Sequence, residues 1–370
     1  MNNEIQFLRA LAIILVYVSH LHGLFFFNEA YWRNVGKGLW VGVDLFFCVS
    51  GYVISRNLVE RLQNQTGDYF WREVTAFWVR RLYRITPSAW LWLLIPVALS
   101  PFFNEKNAFS AQLQNIPDVA AAVMHMANFH YYSCTVGGGY CGVFSTYWSL
   151  SLEEQFYLLF PFLILIFGNQ LYKALIVLVL MQIFITRHQW GGLLSFIRTD
   201  AILLGVLIAI FSSKVSYKIF EPNLNSSRFR FIISPLLIFC LVMTVRHELV
   251  QFYIGLAAMV CAVIVWMSSY NKGYFVKNKF LLKPMAWIGA RSFSIYLCHI
   301  PLFWVTREIW KRIEADGFEF NSTYTLRFFI TSIILTLIIA DLNYRFLEEP
   351  MRKIGLKHSK NILEKNIHKA

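Results

Sequence analysis

Long apolar runs alternate with short polar segments along the whole chain, and this pattern predicts membrane-spanning helices. A run of about 20 apolar residues is long enough to cross the hydrocarbon core of a bilayer as a helix. The sixth predicted span is short for a full crossing, which indicates a broken or tilted segment there. We predict ten spans, good to a few residues at each end: 7–27, 38–55, 85–103, 143–168, 174–190, 200–213, 231–248, 251–270, 285–306 and 324–344.

Composition agrees with this interpretation. Hydrophobic residues make up 57% of the 370 positions and charged residues only 15%, whereas soluble domains are about 45–50% apolar. The first apolar run has no small-residue cleavage site after it and many apolar runs follow, so we interpret it as a retained span rather than a signal peptide. The predicted fold class is an all-α integral membrane protein, a bundle of about ten transmembrane helices.

The net charge of +13 does not require a nucleic-acid partner. With the N-terminus placed inside, the predicted cytoplasmic loops hold more than twice as many Lys and Arg as the opposite loops. This is the positive-inside distribution, and it predicts that both termini are cytoplasmic. We therefore expect membrane lipids as partners, no nucleic acid, and a multi-pass location in a bacterial inner membrane.

Ionisable side chains inside spans are costly, so they are candidate functional residues. Arg9 and His20 open and close the run RALAIILVYVSH and are eleven residues apart, which predicts that they share one helical stripe. Each also has a structural explanation: Arg9 as an anchor at a helix end, and His20 as an interhelical hydrogen-bonding group. Several later spans carry further such groups, and together they predict a polar cavity: Asp44, Glu153, Glu154, Arg198, Asp200, His299 and Asp341.

The first predicted inner loop ends in FWVRRLYRITP. Arg81 and Arg84 are three residues apart and share a helix face. They are either ordinary juxtamembrane charges or a clamp for a polyanion, because guanidinium groups suit phosphate oxygens.

The sequence lacks the usual motifs of soluble hydrolases and nucleotide-binding proteins. We find no G-x-S-x-G elbow, no P-loop and no His/Cys cluster with metal-ligand spacing. The remaining candidate for the reactive site is a histidine with a carboxylate partner in a polar cavity, and no metal is expected. Cys134 and Cys141 flank TVGGGY in a long predicted extracytoplasmic loop, and the sequence leaves open whether they form a disulfide or two free thiols.

The order and spacing of these motifs resemble the membrane acyltransferase-3 family. The resemblance rests on Arg-x10-His in the first span, GVDLFF-x-x-SGY in the second, F-x-x-RR-x-x-RI-x-P, and WSLSLEEQFYLLFP. It is supported by FIRTDAILLG, SFSIYLCHIPL and YRFLEEPMRK, and it covers about residues 4–355. It implies O-acyl transfer, most often of acetyl, from cytoplasmic acyl-CoA to a hydroxyl of an extracytoplasmic glycan.

The resemblance also implies a domain division and an acceptor. We expect an acyltransferase transmembrane domain over residues 1–350 and a basic cytoplasmic tail over 351–370. As a stand-alone membrane form, the protein is expected to complete the transfer within the helix bundle or to hand the acyl group to another protein. The expected acceptor is a surface polysaccharide, a lipid-linked one included, with lipopolysaccharide O-antigen or exopolysaccharide foremost. A small secondary metabolite such as a macrolide is the alternative, and acyl groups other than acetyl stay open.

The family motifs map onto Arg9, His20, Arg81, Arg84 and Glu153. His20 is the expected catalytic histidine, because imidazole exchanges protons near neutral pH. It would either deprotonate the acceptor hydroxyl or carry the acyl group as an acyl-imidazole. Glu153 or Asp44 would orient it, with Glu153 preferred on motif grounds.

Arg81 and Arg84 would hold the phosphates of acetyl-CoA, the donor substrate, and Arg9 would contact its pantetheine or phosphate region. Two other classes of protein fit parts of the pattern. A secondary transporter would carry intramembrane carboxylates as a proton relay, and a non-catalytic scaffold would not depend on His20.

Overall fold

The computed structural model describes residues 2–105, 109, 112–139, 141, 143–222, 230–315 and 317–364. These residues form helices and connecting segments, with no strand among them. The helices are α1 Asn3–Ser19, α2 Leu21–Leu24, α3 Glu29–Gly36, α4 Gly42–Leu62, α5 Gly67–Phe102, α6 Gln112–Val123, α7 Ala127–Val136, α8 Tyr147–Phe167, α9 Leu171–Ile183, α10 Leu193–Phe196, α11 Asp200–Ser212, α12 Ser216–Ile219, α13 Arg230–Arg246, α14 Tyr253–Ser269, α15 Lys279–Ala290, α16 Ser292–Ile313, α17 Thr325–Asn343 and α18 Glu349–Glu364.

Every predicted span overlaps at least one helix, but 7–27 and 285–306 are each divided between two helices, and not every helix has the length of a span. Within the described residues, the helical segments long and apolar enough to cross a membrane are Leu39–Leu62, Gly67–Phe102, Tyr147–Ile183 and Ser322–Glu364. A fifth is added if the bent pair α15 and α16 is one span. The all-α class is therefore confirmed for the described part of the chain. The count of ten transmembrane helices and the cytoplasmic placement of both termini stay predictions.

One local prediction is wrong and another is confirmed. The first span was expected to continue as one helix over 7–27, but α1 ends at Ser19 and His20 lies between α1 and α2. Arg9 and His20 are therefore not on one continuous helix. Arg81 and Arg84 were expected to share a helix face, and this is confirmed: α5 is helical from Gly67 to Phe102, includes both residues and extends back into the predicted inner loop. Glu, Arg and Leu have high helix propensity, and their presence in residues 67–84 favours a helix there.

The chain divides into two compact units. The first comprises Met1–Val18, Lys37–Thr66 and Leu159–Ser292. Its centre is the crossing of α4 and α11, where glycines allow very close backbone approach. A Cβ added at Gly51 would lie 2.1 Å from the carbonyl oxygen of Ile202, and one at Gly205 would lie 2.1 Å from that of Cys48. Small residues at such crossings are typical of helix packing in membranes, where close contact replaces the hydrophobic effect.

The second unit comprises Ser19–Gly36, Gly67–Leu158 and Phe293–Ala370. Here α18 packs along α5, with Gly355 against Tyr83, and a Cβ at Gly355 would lie 2.6 Å from the Tyr83 Cβ. The predicted tail therefore begins as a packed helix up to Glu364, and residues 365–370 lie outside the described residues. The boundary between domain and tail stays a prediction.

A π-helical segment, Tyr344–Glu348, joins α17 to α18. Glu348, the last residue of this segment, is buried and accepts a 2.7 Å hydrogen bond from the Ser294 hydroxyl. Ser294 in turn accepts a 2.7 Å hydrogen bond from the Asn343 amide. π-Helical turns are rare and commonly occur where a helix must place a particular side chain.

Cys134 and Cys141 form a disulfide in the second unit. The sequence left open whether these cysteines are paired, and the structure shows that they are. The bond closes the segment that contains Gly138, which has a positive φ of 74°, a conformation that glycine adopts without steric cost.

Candidate active site

The candidate site lies in the second unit and begins with two histidines. His20 directly follows α1 and has φ −96° and ψ 0°. Its Nδ1 lies 3.2 Å from Nε2 of His299, which is fully buried on α16. Nδ1 of His299 lies 2.7 Å from the carbonyl oxygen of Tyr296 and 3.1 Å from that of Ile295. The two rings therefore form a hydrogen-bonded pair that is attached to the backbone of α16.

Tyr296 extends this pair towards α8. It lies three residues before His299 on α16, and the two ring centroids are 5.9 Å apart. The Tyr296 hydroxyl lies 2.7 Å from the carbonyl oxygen of Thr146 and 2.6 Å from the hydroxyl of Ser149. Because a phenol has one proton, which it donates to the carbonyl, the Ser149 hydroxyl is the donor to Tyr296.

Ser149, Glu153 and Tyr157 follow at intervals of four along α8 and so share one helix face. The Tyr157 hydroxyl donates to the Glu153 carboxylate. The guanidinium carbon of Arg81 lies 5.4 Å from the centre of the Tyr157 ring, within the range of a cation–π interaction. Trp78, one turn earlier on α5, donates a 3.1 Å hydrogen bond to the Tyr157 carbonyl and holds α5 against α8.

Arg81 keeps hydrogen-bonding capacity. Nε of Arg81 is buried and has no hydrogen-bond partner within the described residues. Arg84, one turn further along α5, is partly buried. Guanidinium groups with unused donors suit the oxygens of a phosphate, so the residues present fit a phosphorylated donor.

Asp44 and Arg9 lie in the first unit. Both oxygens of Asp44 accept hydrogen bonds from Arg198, at 3.0 and 3.3 Å, and both side chains are buried. The Arg198 guanidinium also lies 4.6 Å from the centre of the Trp40 ring. The structure thus gives Asp44 an arginine partner, and its role beside His20 stays a prediction. Arg9 is partly buried in the middle of α1.

A histidine–carboxylate contact lies on another face of α8. Nδ1 of His125, between α6 and α7, is 2.5 Å from Oε2 of Glu154. This hydrogen bond raises the pKa of His125, and partial burial opposes it. His125 has a positive φ of 56°, and Gln155 donates a 2.6 Å hydrogen bond to its carbonyl oxygen. The contact fastens the turn between α6 and α7 to α8.

The line from His20 to Arg81 therefore includes three of the six predicted site residues: His20, Glu153 and Arg81. Sequence reasoning noted His299 but gave it no role, and it missed Tyr296, Ser149 and Tyr157. Two signals were present in the sequence. Tyr296 precedes His299 by three residues, and Ser149 and Tyr157 flank Glu153 at intervals of four.

Imidazoles, a carboxylate and arginines on apolar helices define a membrane protein with a candidate site for group transfer. The family comparison agrees: a family model described as "Acyltransferase domain" matches residues 2–344. The chain therefore belongs to this acyltransferase family.

Curated relatives give the comparison more detail. The chain is 27% identical to the peptidoglycan O-acetyltransferase OatA of Listeria monocytogenes, over 98% of this chain and 58% of that protein. It is 27% identical to the putative peptidoglycan O-acetyltransferase YrhL of Bacillus subtilis, over 95% of this chain and 55% of that protein. It is 28% identical to the O-acetyltransferase OatA of Staphylococcus aureus, over 95% and 57%. The chain thus spans just over half the length of these relatives. No solved structure matches it.

Proposed function

We propose that this protein transfers an acetyl group from acetyl-CoA to a hydroxyl of an extracytoplasmic surface glycan. The observation that carries the proposal is the line of polar and aromatic side chains from His20 along one face of α8 to Arg81, in a chain that belongs to an acyltransferase family. Of the possible acceptors, the names of two relatives favour peptidoglycan over the lipopolysaccharide O-antigen or exopolysaccharide expected from the sequence.

In this proposal Arg81 and Arg84 bind phosphates of the donor. Arg81 is held in place by the Tyr157 ring, and Tyr157 is oriented by its hydrogen bond to Glu153. The proposed role of Glu153 is therefore to orient Tyr157 and, through the Tyr157 ring, Arg81. Fixing the donor in this way places its thioester for reaction, and such positioning can supply several kcal/mol of barrier reduction.

His20 is the proposed catalytic group at the other end of the line. It takes the proton of the acceptor hydroxyl, or it carries the acetyl group as an acyl-imidazole. General-base assistance is typically worth about 10²- to 10⁴-fold in rate. We therefore expect His20→Ala to lower acetyl transfer by that factor and to leave the amount of folded protein unchanged.

The test uses membranes from three strains that carry the full chain, His20→Ala or His22→Ala. His22 is a matched control because it is a neighbouring histidine whose Nδ1 lies 3.0 Å from the carbonyl oxygen of Ser19. Membranes receive acetyl-CoA labelled in the acetyl group, and ester-bound label is measured separately in peptidoglycan and in other surface polysaccharides.

Label in peptidoglycan that disappears only with His20→Ala supports the proposal in full. Label in another polysaccharide supports acetyl transfer by this protein but shows that the acceptor is that polysaccharide and not peptidoglycan. If acetyl-CoA is left intact while a glycan or its precursor crosses the membrane, the protein is a transporter and the proposal fails.

A kinetic comparison tests the arginines. Arg81→Lys keeps the charge but loses the planar donor group, and we expect it to raise KM for acetyl-CoA by about tenfold or more. An equal KM with a lower kcat would show that Arg81 does not bind the donor.

A further inference from the structure

The hydrogen bonds of the buried His299 determine where its own proton lies. Nδ1 of His299 faces the carbonyl oxygens of Tyr296 and Ile295 at 2.7 and 3.1 Å. Carbonyl oxygens only accept hydrogen bonds, so Nδ1 carries the hydrogen. A neutral imidazole has one N–H group, and Nε2 of His299 is then a lone-pair acceptor.

The surroundings of His299 suit the neutral ring. The side chain is fully buried, and its contacts include two backbone carbonyls, the His20 imidazole and the Phe303 ring at 5.8 Å. These partners are neutral, and neutral partners in a buried position favour a neutral group over a charged one.

The proton position of His299 determines that of His20. Nε2 of His299 accepts, and it lies 3.2 Å from Nδ1 of His20, so Nδ1 of His20 must be the donor. We propose that His299 is a positioning residue that selects the Nδ1–H tautomer of His20 and so makes Nε2 of His20 its basic and nucleophilic atom. The role in acetyl transfer rests on the proposed function, whereas the tautomer assignment does not.

The same atom serves both routes open for His20. In direct transfer, Nε2 takes the hydroxyl proton while the acceptor oxygen bonds to the carbonyl carbon of the thioester. The carbon–sulfur bond then breaks, and the proton passes from Nε2 to the leaving thiolate. In the two-step route, Nε2 itself bonds to the carbonyl carbon, the thiolate leaves, and the acceptor oxygen later displaces the imidazole while its proton goes to the thiolate. No other reactant is needed.

The arrangement differs from a catalytic triad, in which a buried carboxylate orients the histidine. Here the orienting group is a second, neutral imidazole, itself oriented by the backbone of α16. In a triad, holding the histidine in the wrong tautomer costs about 10⁴-fold in kcat. We therefore expect loss of the His299 acceptor to lower kcat for acetyl transfer by about 10²- to 10⁴-fold, with KM for acetyl-CoA changed little.

Two amide variants form a matched pair for the test. In His299→Gln the amide oxygen reaches the position of Nε2 and can still accept from His20. In His299→Asn the shorter side chain keeps a donor near the carbonyls of α16 but places no atom at the Nε2 position. His22→Gln is the control, since its ring is 6.4 Å from that of His20.

The readout is the ¹⁵N NMR spectrum of full-length protein labelled in its histidines and held in lipid nanodiscs, together with kcat and KM. The signals of His20 are assigned by their loss in His20→Ala. We expect wild type and His299→Gln to show Nδ1–H in His20 with kcat within about tenfold of each other. We expect His299→Asn to shift His20 towards Nε2–H and to lose kcat.

Each result decides the inference. If His20 in wild type carries its proton on Nε2, or if His299→Asn leaves the tautomer unchanged, the inference is wrong. If the tautomer shifts as expected and the wild type transfers no acetyl group to any glycan, the tautomer assignment stands and the proposed function fails. If the tautomer shifts but kcat does not change, His299 fixes the proton without influencing the reaction, and the positioning role is wrong.

Discussion

Removing one partner of the buried Asp44–Arg198 pair should destabilise the first unit strongly. The two groups share hydrogen bonds of 3.0 and 3.3 Å, and their side chains are 1% and 0% exposed. Deleting one charge of a buried pair typically costs about 3–5 kcal/mol, because the other charge stays buried without compensation. Asp44→Asn keeps one acceptor oxygen, so we expect a loss near the lower end, about 3 kcal/mol, or about 10²-fold in the folding equilibrium.

An exposed ion pair supplies the matched control. Glu29 and Arg33 form an i,i+4 pair on α3, and their side chains are 52% and 62% exposed. Exposed pairs contribute about 0.2–1 kcal/mol, so Glu29→Gln should cost well under 1 kcal/mol. The free energy of unfolding is measured for both variants by titrating mixed micelles with sodium dodecyl sulfate while tryptophan fluorescence is followed. Equal losses in the two variants would refute the reasoning.

A double variant separates stability from catalysis. Asp44→Leu with Arg198→Met removes both charges, and apolar replacements of a buried ion pair are commonly neutral or stabilising. We expect this variant to be more stable than Asp44→Asn. If it also keeps acetyl transfer, Asp44 stabilises the fold and the sequence prediction of a catalytic role is wrong. A stable protein with no activity would instead support that prediction.

Three further outcomes follow from the structure. Without reductant, the denatured protein should expose four thiols to alkylation rather than six, because Cys134 and Cys141 are paired. Gly205→Ala should lower stability by several kcal/mol, because its Cβ would lie 2.1 Å from a backbone oxygen. The contact of His125 with Glu154 should stabilise the protein at about pH 6 and lose this effect at higher pH. The raised pKa of His125 means that the benefit is complete below its ordinary pKa of about 6.5 and disappears as pH rises through the folded-state value.

Matched measurements check these outcomes. Alkylation is repeated after reduction, when six thiols should react, and six without reduction would contradict the disulfide. Gly192→Ala is the glycine control, because an added Cβ there has no atom within 4 Å, and an equal loss in both variants would contradict the packing argument. His125→Gln should cost more stability at about pH 6 than at about pH 9, and a difference independent of pH would show that the charge on His125 does not contribute.

The positions of the helices could be predicted from hydropathy because apolar runs are long and polar segments short. Helix ends could not. α1 stops at Ser19 although the apolar run continues past it, and no local propensity reports the 3.2 Å contact of His20 with His299 on α16. In the same way α5 begins at Gly67, well before its apolar part, and hydropathy does not report its packing against α18 at Tyr83.

The candidate site could be predicted where a residue was costly in its own span. His20 and Glu153 were found in this way, whereas Arg81 was found from the basic run at the end of a predicted inner loop. Tyr296, Ser149 and Tyr157 are ordinary residues of apolar helices, and only the packing of α8 against α16 and α5 gives them a role. The pairing of Asp44 with Arg198 could not be predicted either, because the two residues are 154 positions apart in the sequence.

The π-helical segment Tyr344–Glu348 has a consequence at the level of the gene. Such a segment holds one more residue than an α-helical path of the same rise. An in-frame deletion of a single codon there can be absorbed as ordinary α-helix. α18 would then keep its orientation, and Gly355 would keep its place against Tyr83. A deletion inside a regular α-helix has no such reserve, because each residue turns the helix by about 100°. We expect one-codon deletions in 344–348 to be tolerated better than one-codon deletions in the middle of α17.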